Sequence, residues 1–117
     1  MKKNNFLAAY GLAFVLLLAN VFTVMGSPKG KKVTILTPYM SSVTTNQMAN
    51  YLSDRLEDAG VIVTIVDTKG DMAQFASRIE DTVSAMVDAI VIISVDPSQV
   101  EAQLESAFEA NIPVFGV

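Results

Sequence analysis

The stretch VDAIVIISVDPSQV, Val87–Val100, decides how this chain is read. Within it Asp88–Val95 is a short, β-branched run whose only other polar residue is Ser94. That is the pattern of a strand buried on both faces. DPSQ, Asp96–Gln99, then supplies a helix start. Asp96 suits the N-cap, Pro97 the first helical position, and Gln99 the reciprocal capping-box position. The helix so opened carries Val100, Leu104, Ala107 and Phe108. A buried strand leading directly into a capped amphipathic helix is one unit of an alternating α/β architecture.

The same unit repeats on either side. Val33–Thr37, VTILT, is β-branched and stops at Pro38. From Ser42 to Ala59 the residues Val43, Met48, Ala49, Leu52, Leu56 and Ala59 fall mostly on one helical stripe. Gly60 then stands where a helix commonly ends. Val61–Val66, VIVTIV, reads as a second strand covered on both faces. Asp67–Asp71, DTKGD, is a turn whose last residue can cap a helix with the stripe Met72, Phe75, Ala76, Ile79, Val83 and Met86. IPVFGV, Ile112–Val117, begins a fourth strand.

The sequence therefore predicts βαβαβαβ: a doubly wound parallel α/β sheet over residues 33–117. Right-handed crossovers limit the topology to a few doubly wound orders, of which 2-1-3-4 is the one expected. The order reverses between the first and third strands, and ligands of such sheets bind outside the carboxyl ends at that switch point. The methionines Met48, Met72 and Met86 are read as core residues.

Residues 1–26 have another character. Lys2 and Lys3 precede an apolar run, Phe6–Met25, broken only by Asn20. A basic start, an apolar middle and small residues at Val24 and Gly26 are the layout of an export signal cut ahead of Ser27. The run of 20 residues is also long enough to cross a bilayer as a hydrophobic helix. Lys29, Lys31 and Lys32 lie just beyond it, where cations oppose translocation of that flank. Signal peptide and N-terminal membrane anchor both stand as readings of 1–26, with 27–32 as a polar linker. Either places the domain in the periplasm or outside the cell, with the membrane met only through the N-terminal segment.

Composition excludes several functions. From Val33 onward three cations, Arg55, Lys69 and Arg78, face all twelve acids, a formal charge of −9. Nucleic-acid binding needs a basic patch, which this stretch lacks. Histidine and cysteine are absent, removing the usual general base, soft metal sites, a disulfide framework and a lipid-attachment cysteine. TPYMSSVTTNQ after the first strand contains no glycine, so it is neither a dinucleotide fingerprint nor a P-loop. No nucleophile elbow or catalytic triad is present. No enzyme activity, cofactor or metal is expected.

What that first loop offers is a neutral polar lining with one aromatic. Tyr39, Ser41, Ser42, Thr44 and Thr45 suit a small hydroxylated ligand. The competing reading is that Ser42 or Thr44 caps the helix and the rest are solvated. Asp67 and Asp96, at the ends of the second and third strands, are further candidates. Each also has a structural role open to it, in a turn and at a cap.

KKVTILT, LEDAG with VIVTIVDTKGD, VDAIVIISVDPSQV and FEANIPVFGV together resemble the N-terminal half of the first lobe of sugar-type periplasmic binding proteins, the ribose/galactose-binding-like group. The resemblance covers the chain after about residue 30. It implies an extracytoplasmic receptor of two α/β lobes that closes on a solute, with a sugar or similar small polar ligand as first expectation. The loaded receptor would serve an ABC-type importer, or alternatively a membrane sensor. It also implies that only part of one lobe is present, ending one residue before a ligand-binding aspartate, so that these residues alone bind weakly. In that pattern the first loop carries an Asn, a Pro and two aromatics. Here Ser41 and Ser42 stand in place of the polar contacts, and Thr44 and Thr45 in place of the stacking pair. Lactose-type repressors share the lobe but begin with a DNA-binding helix-turn-helix, where this chain has its apolar run.

Overall fold

The computed structural model describes residues 26–117; the hydrophobic segment 6–25 lies outside the described residues. Among those described, no helix is long and apolar enough to cross a membrane. The chain runs β1 (Lys32–Thr37), α1 (Val43–Asp58), β2 (Ile62–Asp67), α2 (Met72–Ser84) and β3 (Ala89–Ile92). A single 3-10 turn, Pro97–Val100, leads into α3 (Glu101–Glu109), and β4 (Val114–Gly116) follows. All strand pairings are parallel, in the order β2-β1-β3-β4. The expected topology and the observed one agree.

Period-2 alternation on the central strands divides the core into two layers. Val33 and Ile35 of β1 and Val91 with Ile93 at β3 meet Ala49 of α1 on one face. Leu36, Ile90 and Ile92 meet Phe75 and Ile79 of α2 and Ala107 of α3 on the other. The β1–β2 crossover therefore covers one face and the β2–β3 and β3–β4 crossovers the opposite face. Chain leaving β1 and chain leaving β3 turn away from each other, which opens the switch-point crevice between them.

Local signals hold where α2 and the 3-10 turn begin. Asp71 Oδ1 accepts from the Gln74 N–H at 2.9 Å, and Asp96 Oδ1 from the Ser98 N–H at 3.0 Å. Asp96 opens the 3-10 turn, with the helix proper starting at Glu101. Gly60 has φ +88°, the left-handed conformation of a helix terminator, and its N–H donates to the Glu57 carbonyl. A Cβ there would also lie about 3.1 Å from the Lys29 side chain, a tight contact that would make Lys29 give by a few tenths of an ångström.

Two expectations are corrected. β2 is not covered on both faces: it is an edge strand, Ile62 is 54% exposed and Thr64 is exposed. Only Val63, Ile65 and Val66 reach the two cores. The methionines do not form a core stripe. Met72 packs against the α2–α3 core, whereas Met86 lies past the end of α2 at φ +53° and Met48 and Met86 are exposed. The linker residues also make backbone hydrogen bonds. The Gly30 N–H donates to the Gly60 carbonyl at 2.8 Å, the Ile62 N–H to the Lys31 carbonyl at 2.7 Å, and the Lys31 N–H to the Pro28 carbonyl.

Candidate functional site

The carboxyl ends of β1 and β2 frame an open depression of about 500 Å³ lined by Pro38, Tyr39, Met40, Ser41, Asp67, Lys69 and Gly70. Its shape follows from the two loops that border it. Pro38 ends β1, and the Tyr39 N–H donates to Thr37 Oγ1 at 3.2 Å, which turns the tyrosine outward, 41% exposed. Across from it Asp67 Oδ1 accepts from the Lys69 N–H at 2.9 Å, an aspartate turn that holds Lys69 at φ +52°. The Gly70 N–H donates to the Pro38 carbonyl at 2.7 Å and stitches the two loops together.

Of the residues singled out from the sequence, Tyr39, Ser41 and Asp67 meet around this depression. Ser42 occupies the α1 N-cap position without a side-chain capping bond, and its side chain is exposed. Thr44 is exposed on the first turn of α1. Thr45 does not face solvent: it is 4% exposed, with Oγ1 at 3.1 Å from Ser94 Oγ. Asp96 lies in the loop after β3, its carboxylate occupied by the Ser98 N–H. That hydrogen bond holds the Asp96 carboxyl below the usual carboxylate range.

The pattern of residue types did not single out Lys69 or Ser94. Lys69 puts a cation on the rim of the depression. Ser94 stands at φ +60° directly after β3, donates its N–H to the Val117 carbonyl and bonds Thr45 across the crevice. A non-glycine residue in the left-handed region is costly, by roughly 1 kcal/mol, and marks a place where tertiary contacts dictate the backbone. Chemically the rim offers hydroxyls, one aromatic face and a carboxylate, a set for hydrogen bonding and stacking. Among the described residues no group of His, Cys, Asp and Glu could hold a metal ion.

Residues 33–117 match the family described as periplasmic binding protein domain. This chain belongs to that family. The family binds solutes and is not one of enzymes. Solved structures show the same lobe. A periplasmic ribose ABC transporter protein from Conexibacter woesei is 20% identical with a TM-score of 0.74, over 80% of this chain and 31% of that one. An ABC transporter solute binding protein from Agrobacterium vitis, solved with allitol, is 23% identical with a TM-score of 0.72, over 77% of this chain and 31% of that one. A 5-methylthioribose transporter solute binding protein from Thermotoga lettingae is 20% identical at a TM-score of 0.68, over 73% and 27%. The chain thus spans less than a third of the length of these periplasmic binding proteins. No curated protein matches it.

Proposed function

We propose that the chain forms one wall of an extracytoplasmic solute-binding site. It takes a sugar or a similar small polar ligand, and the assembled receptor delivers that ligand to an ABC-type importer. The observation that carries this reading is the polar, hydroxyl-bearing rim at the carboxyl ends of β1 and β2, in a sheet whose residues 33–117 match the binding-protein family. Tyr39 would pack against a sugar face, and Ser41, Ser42, Thr44 and Asp67 would exchange hydrogen bonds with its hydroxyls. Thr45 would act through Ser94 instead, fixing the crevice floor, and Asp96 would hold the start of α3 in place. No covalent step is involved.

One wall buries little of a ligand, whereas small-molecule sites enclose about 70–90% of theirs. Affinity of this chain alone is therefore expected in the millimolar range. An amide-resolved NMR titration with ribose, D-allose and allitol is the test. Shifts that saturate weakly and cluster at Tyr39, Ser41 and Asp67 support the reading. Shifts confined to the opposite edge of the sheet, or none at all, count against it, and micromolar binding by calorimetry would overturn the one-wall argument.

A second reading, a membrane-anchored ligand-binding domain that signals to a membrane partner, is favoured by the absence of slack at Ser27–Lys31. Mass spectrometry of the exported protein separates the two: a mature form beginning at Ser27 rules out the anchor.

A further inference from the structure

We propose that in the uncleaved chain the amino-terminal edge of the sheet is a lipid-facing surface, with the ligand crevice held on the far side. The inference rests on the anchored reading of residues 6–25 and goes beyond it by assigning the face that meets the membrane. The apolar run ends at Met25, and the chain is first hydrogen-bonded to the rest of the domain at Gly30. Ser27 Oγ accepts from the Lys29 N–H, the Pro28 carbonyl from the Lys31 N–H, and the Gly60 carbonyl from the Gly30 N–H. Only Gly26, Ser27, Pro28 and Lys29 lie between Met25 and Gly30, and four extended residues span at most about 14 Å, less where the Ser27–Lys29 and Pro28–Lys31 hydrogen bonds turn the chain. The edge formed by the Ser27–Lys31 turn, the α1–β2 turn at Gly60 and the end of α2 is therefore held within about 15 Å of the headgroups. The strands carry the crevice away from it: six residues of β1 are about 20 Å long.

Charge is arranged in the same sense. Lys29, Lys31 and Lys32 are all exposed and all sit at this edge, on a domain that is otherwise strongly acidic. Asp88 offsets Lys31 at 3.5 Å, and Glu57 and Asp58 end α1 nearby. The short tether therefore sets the orientation, and the lysines make contact with anionic headgroups tolerable rather than drive it. A receptor so held would present its open crevice to incoming solute.

The chain contains no cysteine, so single reporters are easily placed. The full chain is reconstituted in vesicles of phosphatidylcholine and phosphatidylglycerol with brominated acyl chains. A fluorophore sits on Ser84→Cys, at the end of α2 on the tethered edge, or on Ser98→Cys, in the loop after β3 on the crevice edge. Both sites are exposed, and circular dichroism verifies folding of each variant. Severalfold stronger quenching at Ser84→Cys is expected. Inserting about twelve Gly/Ser residues between Gly26 and Ser27, with a root-mean-square span of ~20 Å, should remove the contrast. Equal quenching at the two sites, a contrast that survives the insertion, or a chain that does not enter the vesicles would each overturn the proposal. None of these outcomes depends on whether a sugar binds.

Discussion

At the residue scale, the informative side chains are those whose polar groups are answered, or not, by distant parts of the chain. Thr68 is 2% exposed, and its Oγ1 has no hydrogen-bond partner. An unanswered buried hydroxyl costs about 1–3 kcal/mol, so Thr68→Val, which keeps the shape and removes the oxygen, should raise stability by about 1 kcal/mol in a urea melt. A loss of stability would show that the hydroxyl is satisfied after all. Asp88 is answered: its Oδ2 accepts from the Lys32 N–H at 2.8 Å and its Oδ1 faces Lys31. That backbone hydrogen bond, with help from Lys31, lowers its pKa below 3.8. The depressed folded-state value means that Asp88 stabilises the fold fully above pH 3.8, and that this is lost as pH falls through its lowered pKa. Asp88→Asn should therefore melt below the parent at neutral pH, and the gap should narrow on acidification. A gap independent of pH would sink this account. The caps Asp71 and Asp96 were legible in the sequence because capping joins residues only two or three apart. The burial of Thr45 was not, because its partner Ser94 lies 49 residues away.

At the element scale, helix ends and sheet edges carry the strain and the exposure. α2 ends at Ser84, and Met86 follows in the left-handed region at φ +53°. Glycine enters that region without steric cost, so Met86→Gly should gain about 0.5–1 kcal/mol, read as a higher thermal midpoint. Met86 is 68% exposed, so little packing is forfeited. At the other end of the sheet, Phe115 on β4 and Val117 just after it are 56% and 59% exposed. They share the α1 face with Val91, which Phe115 neighbours in the sheet, but they lie beyond the cover of α1. An apolar edge strand pairs readily with others of its kind. Phe115→Lys should reduce self-association in sedimentation velocity while leaving the melt nearly unchanged. The exposure of β2 escaped the sequence for a related reason. An unbroken apolar run reports that a strand is hydrophobic, but cover on each face depends on where the helices cross, and α1 and α2 reach only some of its side chains.

At the scale of the whole molecule, charge and topology act together. The stretch from Val33 carries a formal charge of −9, and like charges on a compact domain repel. Its thermal midpoint should rise as sodium chloride is raised from about 0.02 to 0.3 M, over which the Debye length shrinks from roughly 20 to 6 Å. A flat or falling midpoint would show that specific ion pairs outweigh the net charge. By itself the sequence determined the alternation of strand and helix, the caps that start α2 and the 3-10 turn, and a short set of doubly wound orders to which 2-1-3-4 belongs. These follow from periodicity, from contacts between near neighbours and from the handedness that L-residues impose on crossovers. Only the tertiary structure decided which loop residues line the depression between the β1 and β2 loops. Tyr39, Ser41 and Asp67 converge because the Gly70–Pro38 hydrogen bond joins two loops, and Thr45 turns inward because Ser94 meets it there. A loop side chain takes its direction from partners far away in the sequence, and no local pattern encodes them.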